Sequence, residues 1–394
     1  MKIAFITNFY NHHQKFLADA LYSLVGDDYY FIETSPITEE RLNMGWGGEE
    51  KPSYVLQNYL DEVSRNKCQN IIDTADVVIV GNAPHSMLET RLKNGKLSFI
   101  YTERLYKTGI PHVKLPYYFL RNLKNYIRFK NFYVLCASAY APLDFSRTFS
   151  FIGKTYKWAY FTEVKKYDNI DTVISSKNKN SILWVARFIG FKHPEYAVEV
   201  AKRLKADGYD FELNMIGNGE LEENIKALIE SNDLSGCVKM LGSMKPTEVR
   251  EHMEKSEVFL FTSDRNEGWG AVLNESMNSA CAVVASRAIG SVPFLLRDGE
   301  NGYMYKDGDI DGLYNKVKQL LDNAENRKRI AKNAYLTMAE EWNAENAAKK
   351  FVDICERAMN GEYKPFPYKN GVCSKAKILS DNWYCNAKER RNDG

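Results

Sequence analysis

Short, unbroken apolar runs recur along this chain, and most are followed by a stretch with helical periodicity. The first set is "KIAFIT" (2–7), "YYFIET" (29–34), "VVIVG" (77–81), "LSFIYTE" (97–103) and "NFYVLCAS" (131–138). A strand with one wet face alternates apolar and polar residues. A strand that is apolar at successive positions must be covered on both faces, which is the situation of a parallel sheet. Helical stretches between the runs, beginning with 12–25, supply the covering layers of a doubly wound α/β domain.

Polar residues interrupt this rhythm at 165–180, "KKYDNIDTVISSKNKN", and it then restarts. The second set is "SILWVARF" (181–188), "FELNMIG" (211–217), "VKMLG" (238–242), "VFLFTS" (258–263) and "AVVAS" (282–286). The intervening helices are predicted at 194–207, 219–231, 246–255 and 270–280, with more at 309–322, 325–341 and 344–359. The expected organisation is therefore α/β, with two doubly wound Rossmann-like domains facing a cleft. Residues 1–165 form the first domain, 166–180 the linker and 181–360 the second domain. A polar tail, 361–394, packs back on the first. Hydrophobic residues make up 44% of the 394, enough for two cores. Ligands of open α/β sheets bind at the carboxyl ends of strands, so the chemistry is expected in loops that follow strands.

Seven scattered cysteines, an odd number with no CxxC pair, argue against a disulfide framework and a structural zinc site. Reduced thiols fit a cytosolic protein. No window approaches the roughly 18 apolar residues a spanning helix needs, so any membrane contact is expected to be peripheral.

The stretch 264–276, "DRNEGWGAVLNES", holds two carboxylates, Glu267 and Glu275, after a strand and into a helix. Gly268 and Gly270 allow close backbone approach to a ligand. A helix starting near Gly270 would turn free N–H groups toward an anion. Glu275 would then suit a ribose diol. Earlier, Arg187 and Lys192 flank the end of a strand and suit a diphosphate, the first as a fork and the second as a point charge. Gly217 and Gly219 mark a strand-to-helix turn that serves either a tight turn or close approach to a nucleotide.

Together these motifs resemble the nucleotide-sugar domain of retaining GT-B glycosyltransferases of family 4, the "glycosyl transferases group 1" domain. The resemblance runs from about Ser181 to Met359 through "VARF" with Lys192, "IGNGELEENI", "VKMLG", "RNEGWGAVLNES", "AVVASRAIGSVPFLL" and "RDGENGYMY". It implies that Arg187 and Lys192 hold the donor diphosphate and that Glu267 contacts the transferred sugar. It places Glu275 on the ribose and the backbone of Gly268, Trp269, Gly270 and Ala271 on a phosphate. Met244 stands where the family packs its base. The donor implied is a nucleoside-diphosphate sugar, with a uridine donor favoured, and neither metal nor further cofactor is expected. The acceptor implied is a glycan, lipid-linked, in cell-surface polysaccharide assembly. A synthase with a soluble acceptor, of the sucrose or trehalose type, and an inactive partner-binding subunit are the alternatives.

In the first half, the loop "NFYNHHQK" carries Asn8 and His12, and "YTERLY" carries Glu103 and Arg104. These four are the acceptor-side candidates. From Arg104 to Leu143 there are seven cations and no acid. Arg121, Lys124 and Arg128 recur at helical spacing beside Tyr117, Leu120, Leu123 and Ile127. Such a basic amphipathic helix suits an anionic membrane surface at the inner face of the cell membrane. A packed helix with a wet basic face is the alternative, and nucleic acid is not expected. The aspartates of "KDGDIDG" (306–312) are read as turn and capping residues rather than metal ligands.

Overall fold

The computed structural model describes residues 1–39, 50–107, 109–362 and 365–384. These form two compact units. One comprises Met1–Thr162 with Trp342–Leu379, and the other Glu163–Glu341 with the residues from Ser380 onward.

The first unit is a seven-stranded parallel sheet. Its strands are β1 (Ile3–Thr7), β2 (Tyr29–Glu33), β3 (Val55–Gln57), β4 (Val77–Val80), β5 (Leu97–Thr102), β6 (Phe132–Cys136) and β7 (Thr155–Lys157). Their order across the sheet is β3-β2-β1-β4-β5-β6-β7. The second unit repeats this plan with β8 (Asn178–Val185), β9 (Glu212–Ile216), β10 (Val238–Met240), β11 (Ser256–Phe261), β12 (Ala282–Ser286) and β13 (Tyr303–Tyr305). Here the order is β10-β9-β8-β11-β12-β13. Register is in step at both centres, with Ile3 opposite both Tyr29 and Val77. In the second, Ile182 lies opposite Leu213 and Val258. β1, β4 and β12 are buried along their whole length, as continuous apolar runs require. Both are Rossmann-like sheets in which chain order reverses once. The reversal lies between β1 and β4 in the first unit and between β8 and β11 in the second.

Two domain expectations are revised. Residues 166–180 are not a free linker. The unit boundary falls at 162/163, the helix Ile170–Ser175 packs Ile170 and Ile174 into the second core, and β8 already begins at Asn178. The helix Ala344–Met359 belongs to the first unit, because Phe351 is wholly buried against Phe99 and Trp158, with ring centroids 5.0 and 5.7 Å away. The segment after it also lies on the first unit. Phe366 stacks on Tyr156 at 3.6 Å, and the N–H groups of Lys157 and Cys373 donate to Ser374 and Lys157 carbonyls at 2.8 and 3.0 Å. Residues 385–394 of the tail, Cys385 among them, lie outside the described residues.

Phe351→Ala should therefore destabilise the first unit by about 3–5 kcal/mol, the range for emptying an aromatic site in a core. Denaturant unfolding followed by a probe in residues 1–162 checks this. An unchanged midpoint would show that the helix is not part of that core.

Candidate active site

The loops after β8 and β9 are zipped together by backbone. Ala186 N–H donates to the Ile216 carbonyl at 3.1 Å, Phe188 N–H to Asn218 at 2.8 Å, and Leu221 N–H to Phe188 at 2.9 Å. Gly217 and Gly219 make this approach possible, with φ of 138° and 155°. A Cβ on Gly219 would lie 2.5 Å from the Phe188 carbonyl oxygen, and one on Gly217 would overlap that of Ala186. The glycines are thus occupied by protein backbone, and their contribution to a ligand is to hold the loop that carries Arg187. Arg187 itself is exposed, and no carboxylate among the described residues pairs with it.

The loop continues to Lys192, whose ammonium pairs with the Glu267 carboxylate. The two side chains are 14% and 12% exposed. Ser263 Oγ also donates to Glu267 at 3.1 Å. The Lys192 carbonyl accepts from Thr262 Oγ1 at 2.6 Å, and Thr262 in turn accepts from Trp184 Nε1 at 2.8 Å. Asp264 N–H donates to the Phe191 carbonyl at 2.9 Å. Lys192 and Glu267 are therefore brought together at the reversal between β8 and β11, on two loops stitched by three bonds.

One detail of the glycine knuckle differs from expectation. The helix is Val272–Asn278, seven residues, capped at Ala271 rather than starting at Gly270. Trp269 is buried, donating to Asn274 Oδ1 at 2.9 Å, so its indole is a core anchor and only its backbone is left for a ligand. Gly270, at φ 79°, passes under the Phe261 ring, where a Cβ would strike it.

Glu275 is placed in a separate pocket. It lines a cavity of about 340 Å³ together with Lys165, Thr247, Arg250, Glu251 and Glu254. Burial raises its pKa to about 7, against the lowering influence of Arg250. Arg250 was not singled out from sequence. Its guanidinium donates to Asn278 Oδ1 at 2.9 Å, to Ser279 Oγ at 3.1 Å and to the Glu163 carbonyl at 3.2 Å. It leaves the Glu275 carboxylate without a side-chain hydrogen bond among the described residues. Met244 is half-buried on the segment leading to the helix Pro246–Lys255 but does not line this pocket. Asp309 caps the helix Ile310–Asp322 and Asp311 pairs with Arg203 at 2.5 Å.

In the first unit, a cavity of about 650 Å³ opens where β1 and β4 diverge. Asn8, His13, Gln14, His85, Glu103 and Tyr160 line it. Glu103 accepts from the Tyr160 hydroxyl at 2.6 Å. Of the four acceptor-side candidates, Asn8 and Glu103 face the cavity. His12 does not: it begins the helix His12–Val25 and is exposed, while the next residue turns inward. Arg104 does not either, being buried and paired with Asp144 at 3.4 Å. His85 was missed by sequence reasoning. Burial lowers its pKa, so its imidazole is neutral at pH 7, and Nε2 is buried with no hydrogen-bond partner. Its place in the loop that follows "VVIVG", a central strand, was the available signal.

The basic helix is shorter than its pattern. The α-helix Leu115–Asn122 gives way to a π turn, Leu123–Ile127, which breaks the helical spacing. Arg121 is turned inward, donating to Tyr106 Oη at 2.9 Å and lying 4.8 Å over Tyr118. Lys124 and Arg128 are exposed.

Residues 167–337 match the profile described as "Glycosyl transferases group 1". They are a group 1 glycosyl transferase domain. Among curated relatives, the amylovoran biosynthesis glycosyltransferase AmsK of Erwinia amylovora is 29% identical over 181 residues, 45% of this chain and 44% of that protein. The lipopolysaccharide core biosynthesis glycosyltransferase LpsE of Rhizobium meliloti is 27% identical over 173 residues, 44% of this chain and 48% of its own length. The chain thus spans about half the length of the curated relatives it matches. The structure of HepE from Anabaena in complex with UDP superposes with a TM-score of 0.67 at 15% identity, covering 90% of this chain and all of that one. The architecture is that of GT-B glycosyltransferases.

Within the group 1 domain, His193 ties the two loops electrostatically. It sits in the left-handed region at φ 49°, stacked on Tyr196. Its ring contacts Glu195 at 2.7 Å and Asp264 at 3.6 Å. Burial opposes its charge, but the bonds to Asp264 and Glu195 prevail and raise its pKa to about 9 from the usual 6.5. A raised folded-state pKa stabilises the protein fully below the unfolded value, and that stability is lost as pH climbs through the folded value. The loss should therefore fall between about pH 6.5 and 9. It is at most about 3 kcal/mol, less where solvent screens the exposed Glu195. Melting temperature against pH should slope downward over this window in the wild type and flatten in His193→Gln. Parallel slopes would remove His193 from the coupling.

Proposed function

We propose that this chain is a retaining glycosyltransferase that moves a sugar from a nucleoside-diphosphate donor to a glycan acceptor in polysaccharide assembly. The observation that carries this is the pair of prepared sites in the group 1 domain. One is a fixed Lys192–Glu267 pair beside an exposed, unpaired Arg187, and the other is a desolvated Glu275 with no hydrogen-bond donor of its own. The first suits a diphosphate and its sugar, the second a pair of ribose hydroxyls. A uridine donor is favoured, in keeping with HepE, whose structures hold UDP and UDP-glucose. The relatives named for amylovoran and lipopolysaccharide core synthesis support a polysaccharide product.

In this reading the acceptor hydroxyl attacks the anomeric carbon on the face from which the diphosphate departs. The bond from that carbon to the β-phosphate oxygen breaks, and the acceptor proton passes to that oxygen. Arg187 and Lys192 stabilise the departing charge by preorganised electrostatics. Glu267 holds the sugar and keeps Lys192 aimed. The first unit's cavity takes the acceptor, with Asn8, Glu103, His85 and Gln14 as its polar wall. The acceptor is lipid-linked.

Glu275→Ala should weaken binding of uridine diphosphate by about 1–3 kcal/mol, the scale of a lost charge-assisted hydrogen bond. Calorimetry on the folded variant checks this, and an unchanged Kd would end the ribose role. Turnover of a uridine-diphosphate sugar should fall by about a hundredfold or more in Arg187→Ala and in Lys192→Ala, the scale of removing one electrostatic donor. It should persist in EDTA. Activity abolished by chelation and restored by Mg²⁺ or Mn²⁺ would overturn the division of labour given to these two cations.

A further inference from the structure

The first unit leaves a run of large apolar side chains in water. On and around the helix Leu115–Asn122, Val113, Tyr117 and Leu120 are 87%, 63% and 64% exposed. Their spacing of four and three residues makes them one stripe. Beside it lies a second element, distant in sequence. Phe149 and Ile152 are 58% and 70% exposed, on the turn before β7. Phe149 meets Phe119 edge-on at 5.9 Å, and Asn122 Nδ2 donates to Ser150 Oγ at 3.3 Å, so the turn is packed against the helix.

The turn is built to present Phe149. Phe149 and Phe151 both lie in the left-handed region, at φ 54° and 50°, which residues with a Cβ seldom occupy. Phe151 is buried among Phe132, Phe145 and Tyr126. Between them Ser150 is buried, its N–H donating to the Phe145 carbonyl at 2.9 Å, and Phe149 is left in solvent. Monomeric proteins rarely expose a contiguous patch of this kind without a partner for it.

The charge around the patch selects the partner. Lys114, Lys124, Arg128 and Lys130 are exposed beside it, with no acid anywhere from 104 to 143. Of the two acids that bound this stretch, Glu103 accepts from the Tyr160 hydroxyl, and Asp144 is buried and taken by Arg104 and the N–H groups of Leu105 and Tyr106. Apolar side chains ringed by uncompensated cations match a bilayer surface bearing anionic headgroups, whose acyl boundary takes the former and whose phosphates take the latter. No helix among the described residues is long and apolar enough to cross a membrane, and this surface would lie on it. We infer that the helix 115–122 and the turn 149–152 together form a docking surface for an anionic membrane, with Tyr117, Leu120, Phe149 and Ile152 inserted and Lys124, Arg128 and Lys130 at the headgroups. This goes beyond the transferase reading and does not depend on it.

Co-sedimentation of the full chain with vesicles tests it without donor or acceptor. Wild-type protein should pellet with phosphatidylglycerol-containing vesicles and not with pure phosphatidylcholine. Binding should fade between 0.1 M and 1 M salt, as the screening length falls from about 10 Å to about 3 Å. Lys124→Glu, Arg128→Glu and Lys130→Glu together should lower the partition coefficient by more than a hundredfold, each lost cation being worth about fivefold. Leu120→Ser with Phe149→Ser, which keeps every charge, should lower it by roughly tenfold or more. All of these side chains are exposed, so the variants should melt as the wild type does. Wild-type protein left in the supernatant at low salt would overturn the inference. So would a double apolar variant that pellets undiminished, or a wild-type dimer in sedimentation velocity that Leu120→Ser with Phe149→Ser dissolves.

Discussion

Every strand in both sheets runs parallel to its neighbours, and this one constraint decides where chemistry can be placed. Parallel pairing demands a crossover between successive strands, and the crossovers cover both faces. The backbone of each strand is then consumed by its neighbours and its side chains by the helices. What remains free lies at the strand ends, and the widest opening is where chain order reverses. In the first unit that reversal sets the loop after β1, with Asn8, against the loop after β4, with Asn82 and His85. In the second it sets Lys192 against Glu267.

The loops of the group 1 domain are closely packed on one another and on the core. Backbone meets backbone at Gly217 and Gly219, an aromatic ring covers Gly270, and Trp269 is sunk into the core. Such packing is what preorganised electrostatics requires, since dipoles and charges that need not move cost little reorganisation when charge develops beside them. The two glutamates of "EGWGAVLNE" nevertheless meet different environments. Glu267 is neutralised by Lys192 and receives a hydroxyl bond. Glu275 is desolvated, opposed only by the charge of Arg250, and its pKa moves to about 7. One has its partners supplied by protein, Lys192 and Ser263. The other is left short of hydrogen-bond donors, which a ligand bearing hydroxyl groups would supply.

The central strands were legible because burial on both faces writes an unbroken apolar run. The three-residue edge strands β3, β7 and β13 were not, whereas β10, equally short and also at an edge, was read from "VKMLG". The helix 344–359 was legible as a helix but misassigned to the second unit, since position along the chain does not report that Phe351 reaches Phe99. Local errors followed the same logic. His12 and His13 differ by one helical step, about 100° of rotation, which is enough to send one into solvent and the other to the cavity. Arg104 looked like a loop cation, and only its partner 40 residues on, Asp144, reveals a buried pair. Arg121 fitted a basic face until the π turn after Asn122 altered the spacing.

Those last two arginines connect the first unit's cavity to its exposed apolar surface. Asp144 binds Arg104 and also accepts from the N–H groups of Leu105 and Tyr106, both at 2.8 Å, which fixes the stretch that brings Leu105 to the cavity wall. Tyr106 accepts from Arg121, which lies on the helix bearing Tyr117 and Leu120. Tyr126, in the π turn that extends this helix, lines the same cavity and meets His85 at 5.2 Å between ring centroids. The cavity wall and the outward stripe are therefore opposite sides of one short segment, held at Asp144 and at Arg121. An acceptor that arrives from a membrane would reach a cavity whose wall is shaped by the segment touching that membrane.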